Sequence, residues 1–109
     1  MWNEPTQKEL NQLPNLYSTE NMSLEDKLIQ MHFFFGGCDW YVAEYGPPDR
    51  TFFGYAILNQ DYDNAEWGYV NFDEMRNINI RGIEVDRDLY WKVRPAKDVD
   101  LIRKSGGCD

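Results

Sequence analysis

The segment "HFFFGGCDWYVAEY", residues 32–45, decides the fold. Aromatic side chains crowd both its ends, and a double glycine separates them. Such residues favour a pleated, half-buried surface. Gly36 and Gly37 tolerate the positive φ angles that a tight reversal needs. The segment therefore predicts a β-hairpin, with one strand ending at Phe35, a turn over "GGCD" and a second strand through "DWYVAEY". Short connections join antiparallel neighbours, because a parallel pair needs a long crossover.

The same period of two extends on both sides. "KLIQMHFFF" (27–35) sets Ile29, Met31, Phe33 and Phe35 against Leu28, Gln30, His32 and Phe34. "DWYVAEY" (39–45) sets Trp40, Val42 and Glu44 against Tyr41, Ala43 and Tyr45. "TFFGYAIL" (51–58) sets Phe53, Tyr55 and Ile57 against Phe52, Gly54, Ala56 and Leu58. "AEWGYVN" (65–71) sets Trp67 and Tyr69 against Glu66, Gly68 and Val70. Between them, "GPPDR" and "NQDYDN" carry the Gly, Pro, Asn and Asp that form turns. "IRGIEVDRDLYWKV" (80–93) is a fifth extended piece.

Helix signals lie at both ends. Pro5 suits a first turn and Pro14 ends what it starts, which predicts a helix over about 5–13 with Leu10 and Leu13 as its apolar edge. Ser23 and Asp26 have the spacing of a capping box before a brief turn. Asn71, with Glu74 three residues on, caps one or two turns in "FDEMRNI". "PAKDVDLIRKSGG" places Asp98 and Asp100 early, Arg103 and Lys104 late, and Gly106 at the end, a charge order that suits a helix dipole over about 96–104. The expected fold is α+β. It is one domain over 1–109, an antiparallel meander of about four to five strands (about 27–93) flanked by short helices at both termini.

Nineteen Asp and Glu against eleven Lys and Arg give a formal charge of -8. Phosphate repels such a surface, so direct nucleic-acid binding is not expected. No apolar run is long enough to span a membrane, and "MWNEPTQKEL" has no secretory pattern. The expected compartment is the cytoplasm, where Cys38 and Cys108 remain thiols. Cys38, Cys108 and His32 lack zinc-ligand spacing, and neither a nucleophile elbow nor a phosphate loop is present. No metal and no cofactor is expected.

Several of these pieces together are familiar. "MHFFFGGCDWYVAEY", "FFGYAIL", "AEWGYVNFDEM" and "IEVDRDLYW" occur in that order. Over roughly residues 16–93 the chain resembles the small bacterial, phage and plasmid proteins catalogued as domain of unknown function 2958. The resemblance implies one small domain, often carried on mobile elements, and brings no established activity.

Two function classes follow, beside a third in which the chain is a self-associating structural protein whose edge strands pair between copies. In the first, the protein is an acidic, non-enzymatic binder that covers the basic surface of a host protein, such as a nucleic-acid-binding defence effector of the CRISPR type. Its docking residues would be the rings of Tyr41 and Tyr45 beside Asp61, Asp63, Glu66 and Glu74. It would act as a monomer or homodimer. In the second, it is a small enzyme or ligand-binding domain with His32, Glu44 and Glu66 around one pocket, where a histidine and a carboxylate could act as base and orienter.

Overall fold

The computed structural model describes residues 1–108. Along the chain run α1 (Gln7–Leu10), β1 (Leu28–Ile29), β2 (Met31–Phe35), β3 (Cys38–Gly46), β4 (Thr51–Ile57), β5 (Glu66–Asn71) and α2 (Phe72–Arg76). They are followed by β6 (Asn79–Ile80), β7 (Ile83–Glu84), β8 (Asp86–Arg87), β9 (Arg94–Pro95) and α3 (Asp100–Lys104). The fold is α+β, built on an antiparallel five-stranded sheet of order β5-β4-β3-β2-β8.

The hairpin predicted from residues 32–45 forms. Phe35 pairs with Cys38 across Gly36–Gly37, and Gly36 has φ +52°. The expected strand 27–35 splits at Gln30. Its first part, β1, leaves the main sheet and pairs with β9, where the Ala96 N–H also donates to the Lys27 carbonyl at 2.9 Å. The split turns Ile29 into the core on one face of the sheet, while Phe33 enters the core on the other.

The helices are shorter than expected. Thr6 and Glu9 close a reciprocal capping box, so α1 begins after Pro5, and Asn11 caps it. Leu10 and Leu13 are buried as the pattern required. Asn71 caps α2, accepting the Glu74 N–H at 2.9 Å. Residues 96–104 are not one helix. A 3₁₀ turn over Ala96–Asp98 and α3 are separated by Val99, which is extended (φ −97°, ψ 109°) and buried. Gly106 (φ +91°) closes α3 as its sequence position implied, with the Gly107 N–H bonded to the Ile102 carbonyl. The extended piece 80–93 is likewise interrupted. Arg81 and Gly82 both have positive φ and reverse the chain between β6 and β7, so only Asp86–Arg87 joins the sheet.

Both faces of the sheet are covered, and this corrects the expectation that Tyr41 and Tyr45 face outward. They are 4% and 1% exposed. Tyr45 packs with Leu10, Phe52 and Phe72 on the face covered by α1 and α2. Tyr41 packs with Ile29, Tyr55 and Ile102 on the face covered by β1 and α3. The two rings lie on opposite faces although four residues apart in one strand, because the β3–β4 register shifts between Val42 and Glu44. A bulge at that point inverts the alternation beyond it. Tyr17, Tyr62, Tyr69 and Tyr90 are the exposed tyrosines.

Candidate functional site

The bulge has a second effect. Strict alternation places Glu44 with Trp40 and Val42. Instead its carboxylate meets Lys27 and the connector before it, across the sheet face that carries Phe53. Both charged side chains are buried, Glu44 to 3% and Lys27 to 5% exposure. The Lys27 ammonium lies 3.5 Å from Glu44 and donates to the Thr19 carbonyl at 2.6 Å and the Thr19 hydroxyl at 2.5 Å. That hydroxyl in turn donates to Glu44. The other Glu44 oxygen accepts the Tyr17 backbone N–H at 2.9 Å. Burying charges is tolerated where each finds such partners.

Tyr17 has φ +68°. A bulky residue in that region is strained, and strain of this kind gathers at functional sites. The bond to Glu44 helps to hold it there and stands its ring beside that of Tyr69, centroids 6.2 Å apart. The Phe53 ring packs on Tyr69 at 5.3 Å and beneath the Lys27 ammonium at 5.8 Å. Tyr17, Glu20, Met22, Leu24, Lys27, Glu44, Phe53 and Tyr69 enclose an open cleft of about 510 Å³. That is within the ordinary size of a ligand pocket. Its charged lining is Glu20 together with the Lys27–Glu44 pair. The Tyr69 phenol is raised above its ordinary pKa, first by a side-chain hydrogen bond with Tyr17, then by burial, and also by the charges of Glu44 and Glu20.

A family model described as "protein of unknown function (DUF2958)" matches residues 6–99. The chain belongs to this family. The match reaches from the cap of α1 to Val99, takes in the whole cleft and leaves α3 outside. Comparison with curated proteins and with solved structures gave no match.

In this DUF2958 protein, His32, Glu44 and Glu66 do not share a pocket. The β2–β3 pairing places His32 opposite Tyr41 and runs out at Val42, so Glu44 lies beyond the reach of β2. Glu66 opens the edge strand β5 opposite Ala56. The His32 ring is taken up by its own chain: Nε2 is 2.7 Å from Asp39 Oδ1, and Nδ1 is 3.2 Å from Asp88 Oδ2. Both nitrogens are so engaged, and the arrangement braces β2, β3 and the turn after β8. Asp61, Asp63, Glu66 and Glu74 are exposed. Among the described residues no group of three His, Cys, Asp or Glu side chains converges as metal ligands would, and no helix is long and apolar enough to cross a membrane.

Tyr17, Thr19 and Lys27 were not legible as site residues. Tyr17 and Thr19 belong to a polar connector whose only local signal is an aromatic ring among Asn, Ser, Thr and Glu, and Lys27 opens the predicted strand 27–35.

Tyr41 supplies a prediction in pH. Its ring stacks on His32 (4.6 Å, 9°), and burial, then the charge of Asp39, raise its phenol above the ordinary range. A folded-state pKa above the unfolded one gives stability that is complete below about pH 10 and lost as pH rises further. Tyr41→Phe should therefore move the alkaline unfolding midpoint upward, as read by circular dichroism against pH. An unmoved midpoint would show that Tyr41 does not limit alkaline stability.

Proposed function

We propose that the protein is a non-catalytic binding module that docks on a basic protein surface. One observation carries the reading. Glu20, Asp61, Asp63, Glu66 and Glu74 are exposed around β5 and its cleft, and none has an ion-pair partner among the described residues. The nearby cations are already committed: Lys27 to Glu44, Arg50 to Asp73, and Arg76 to Glu4 and Asp73. The acidic field there is left for a partner to neutralise, which speeds encounter and selects against acidic surfaces. Exposed Tyr17 and Tyr69 add the rings that anchor interface centres.

The partner class is a nucleic-acid-binding protein of the host cytoplasm, such as a CRISPR-type defence effector. Its lysine and arginine groove ordinarily meets phosphate. Inhibition is then steric, by occupation of the groove, with no cofactor and no reaction. Carriage on a mobile element would fit such a role.

Charge reversal of Asp61, Asp63, Glu66 and Glu74 to lysine tests this. Against a purified basic effector, calorimetry should show affinity falling about tenfold or more, a change of about 1.4 kcal/mol, with the difference shrinking as salt rises. Equal affinity of the reversed and native proteins would rule out the acidic docking surface.

A further inference from the structure

We infer that β5 is a docking edge, on which an extended basic segment of the partner adds one more strand to the sheet and lays an arginine or lysine side chain across Tyr69 toward Glu20. This rests on the acidic-docking reading and specifies its mode.

The two edges of the sheet differ. At one, β8 is only Asp86–Arg87, and the N-terminus covers it: the Trp2 N–H donates to the Val85 carbonyl at 2.8 Å, and the Arg87 N–H to the Trp2 carbonyl at 3.3 Å. At the other, among the described residues, β5 pairs with β4 alone along Glu66–Asn71. Its register with β4 is unbroken from Thr51↔Asn71 to Ala56↔Glu66. Proteins protect such edges with lysine, proline or a bulge. "EWGYVN" has no lysine or proline, and no bulge interrupts its pairing.

Gly68 sits mid-strand, and a Cβ built there meets nothing within 4 Å. Packing inside the chain does not require glycine at this position, and glycine loosens a strand. Close approach of a ligand or of another backbone is one reason for a strand glycine, and the space beside Gly68 is open to it.

Charge selects the occupant. A second copy of this chain paired antiparallel along β5 would set the Asp61, Asp63 and Glu66 end of one copy beside the Glu74 end of the other, acid against acid. A basic strand brings the complement. A residue directly opposite Tyr69 has its Cβ about 4.5–5.5 Å from that of Tyr69, so a long cationic side chain can cover the ring and reach the carboxylate beyond it.

The probe is a capped peptide of alternating arginine and valine, titrated into the full chain by fluorescence anisotropy. Two versions carry N-methyl groups on alternate residues, one in each register, and a fourth peptide replaces arginine with glutamate. Ladder hydrogen bonds fall on every second residue, so one methylated version should bind like the parent and the other about tenfold or more weaker. Tyr69→Ala should weaken the parent peptide while leaving the protein folded. Equal binding of both methylated versions, or no binding of the parent, would overturn edge docking while leaving the acidic surface to its own charge-reversal test. Binding of the glutamate peptide as tight as the parent would overturn the basic-partner reading itself. A dimer in light scattering that disappears with Gly68→Pro would give the edge to a second copy and likewise overturn the proposal.

Discussion

Gly54→Ala is expected to lower folding stability by about 3 kcal/mol, a large share of the roughly 5–15 kcal/mol that holds a small domain together. A Cβ at that position would lie 2.2 Å from the Tyr41 carbonyl oxygen and 3.0 Å from Val42 Cα. These are backbone atoms of the adjoining central strand, so no side-chain rotation relieves the clash, and β3 and β4 must separate. Urea denaturation should show a lower midpoint with an unchanged slope. Gly68 is the β5 partner of Gly54 and provides the control. With nothing near its Cβ, Gly68→Ala should stay within about 0.5 kcal/mol of the native protein. Equal stability of the two variants would mean that the close β3–β4 approach has been misjudged.

Removing Lys27 or Glu44 alone should cost about 3–5 kcal/mol, because each deletion leaves a buried charge without its counter-ion. Replacing both at once, as Lys27→Met with Glu44→Leu, should recover most of that loss, since the pair's own attraction is offset by its desolvation. The double variant separates stability from site architecture. Without Glu44 the Tyr17 N–H loses its acceptor, and the positive-φ backbone loses a bond that holds it. The Tyr17–Tyr69 contact should then loosen, visible as a changed near-ultraviolet dichroism in a protein that still unfolds cooperatively. A double-mutant cycle with no coupling between the two positions would deny the ion pair its structural role.

The buried pair also explains why the cleft was hard to find in advance. Lys27 begins an apolar run, and lysine in that position is ordinarily solvated. Glu44 sits in "DWYVAEY", where simple alternation assigns it to the wrong face. The bulge that re-aims it has no glycine or proline to announce it. Tyr45 misleads for the same reason: one extra residue in β3 moves every later side chain to the other face. His32 is the sole histidine, and its partners are Asp39 and Asp88. Asp39 is a neighbour through the hairpin. Asp88 becomes one only through the β2–β8 pairing, a long-range contact that no local spacing encodes.

Local sequence was enough for the α+β class, the meander of hairpins, the turn at Gly36–Gly37, the cap at Asn71, the closing glycine of the last helix and the net negative charge. Each of these follows from local conformational preference, from period-two burial or from net charge, and such properties are carried by neighbouring residues. Long-range packing decided that both faces of the sheet are covered, that Tyr41 and Tyr45 are core, that Lys27 and Glu44 meet beneath Tyr17, and that among the described residues β5 is an edge strand. Those depend on register and on contacts between distant segments, where a shift of one residue reverses which side chains meet.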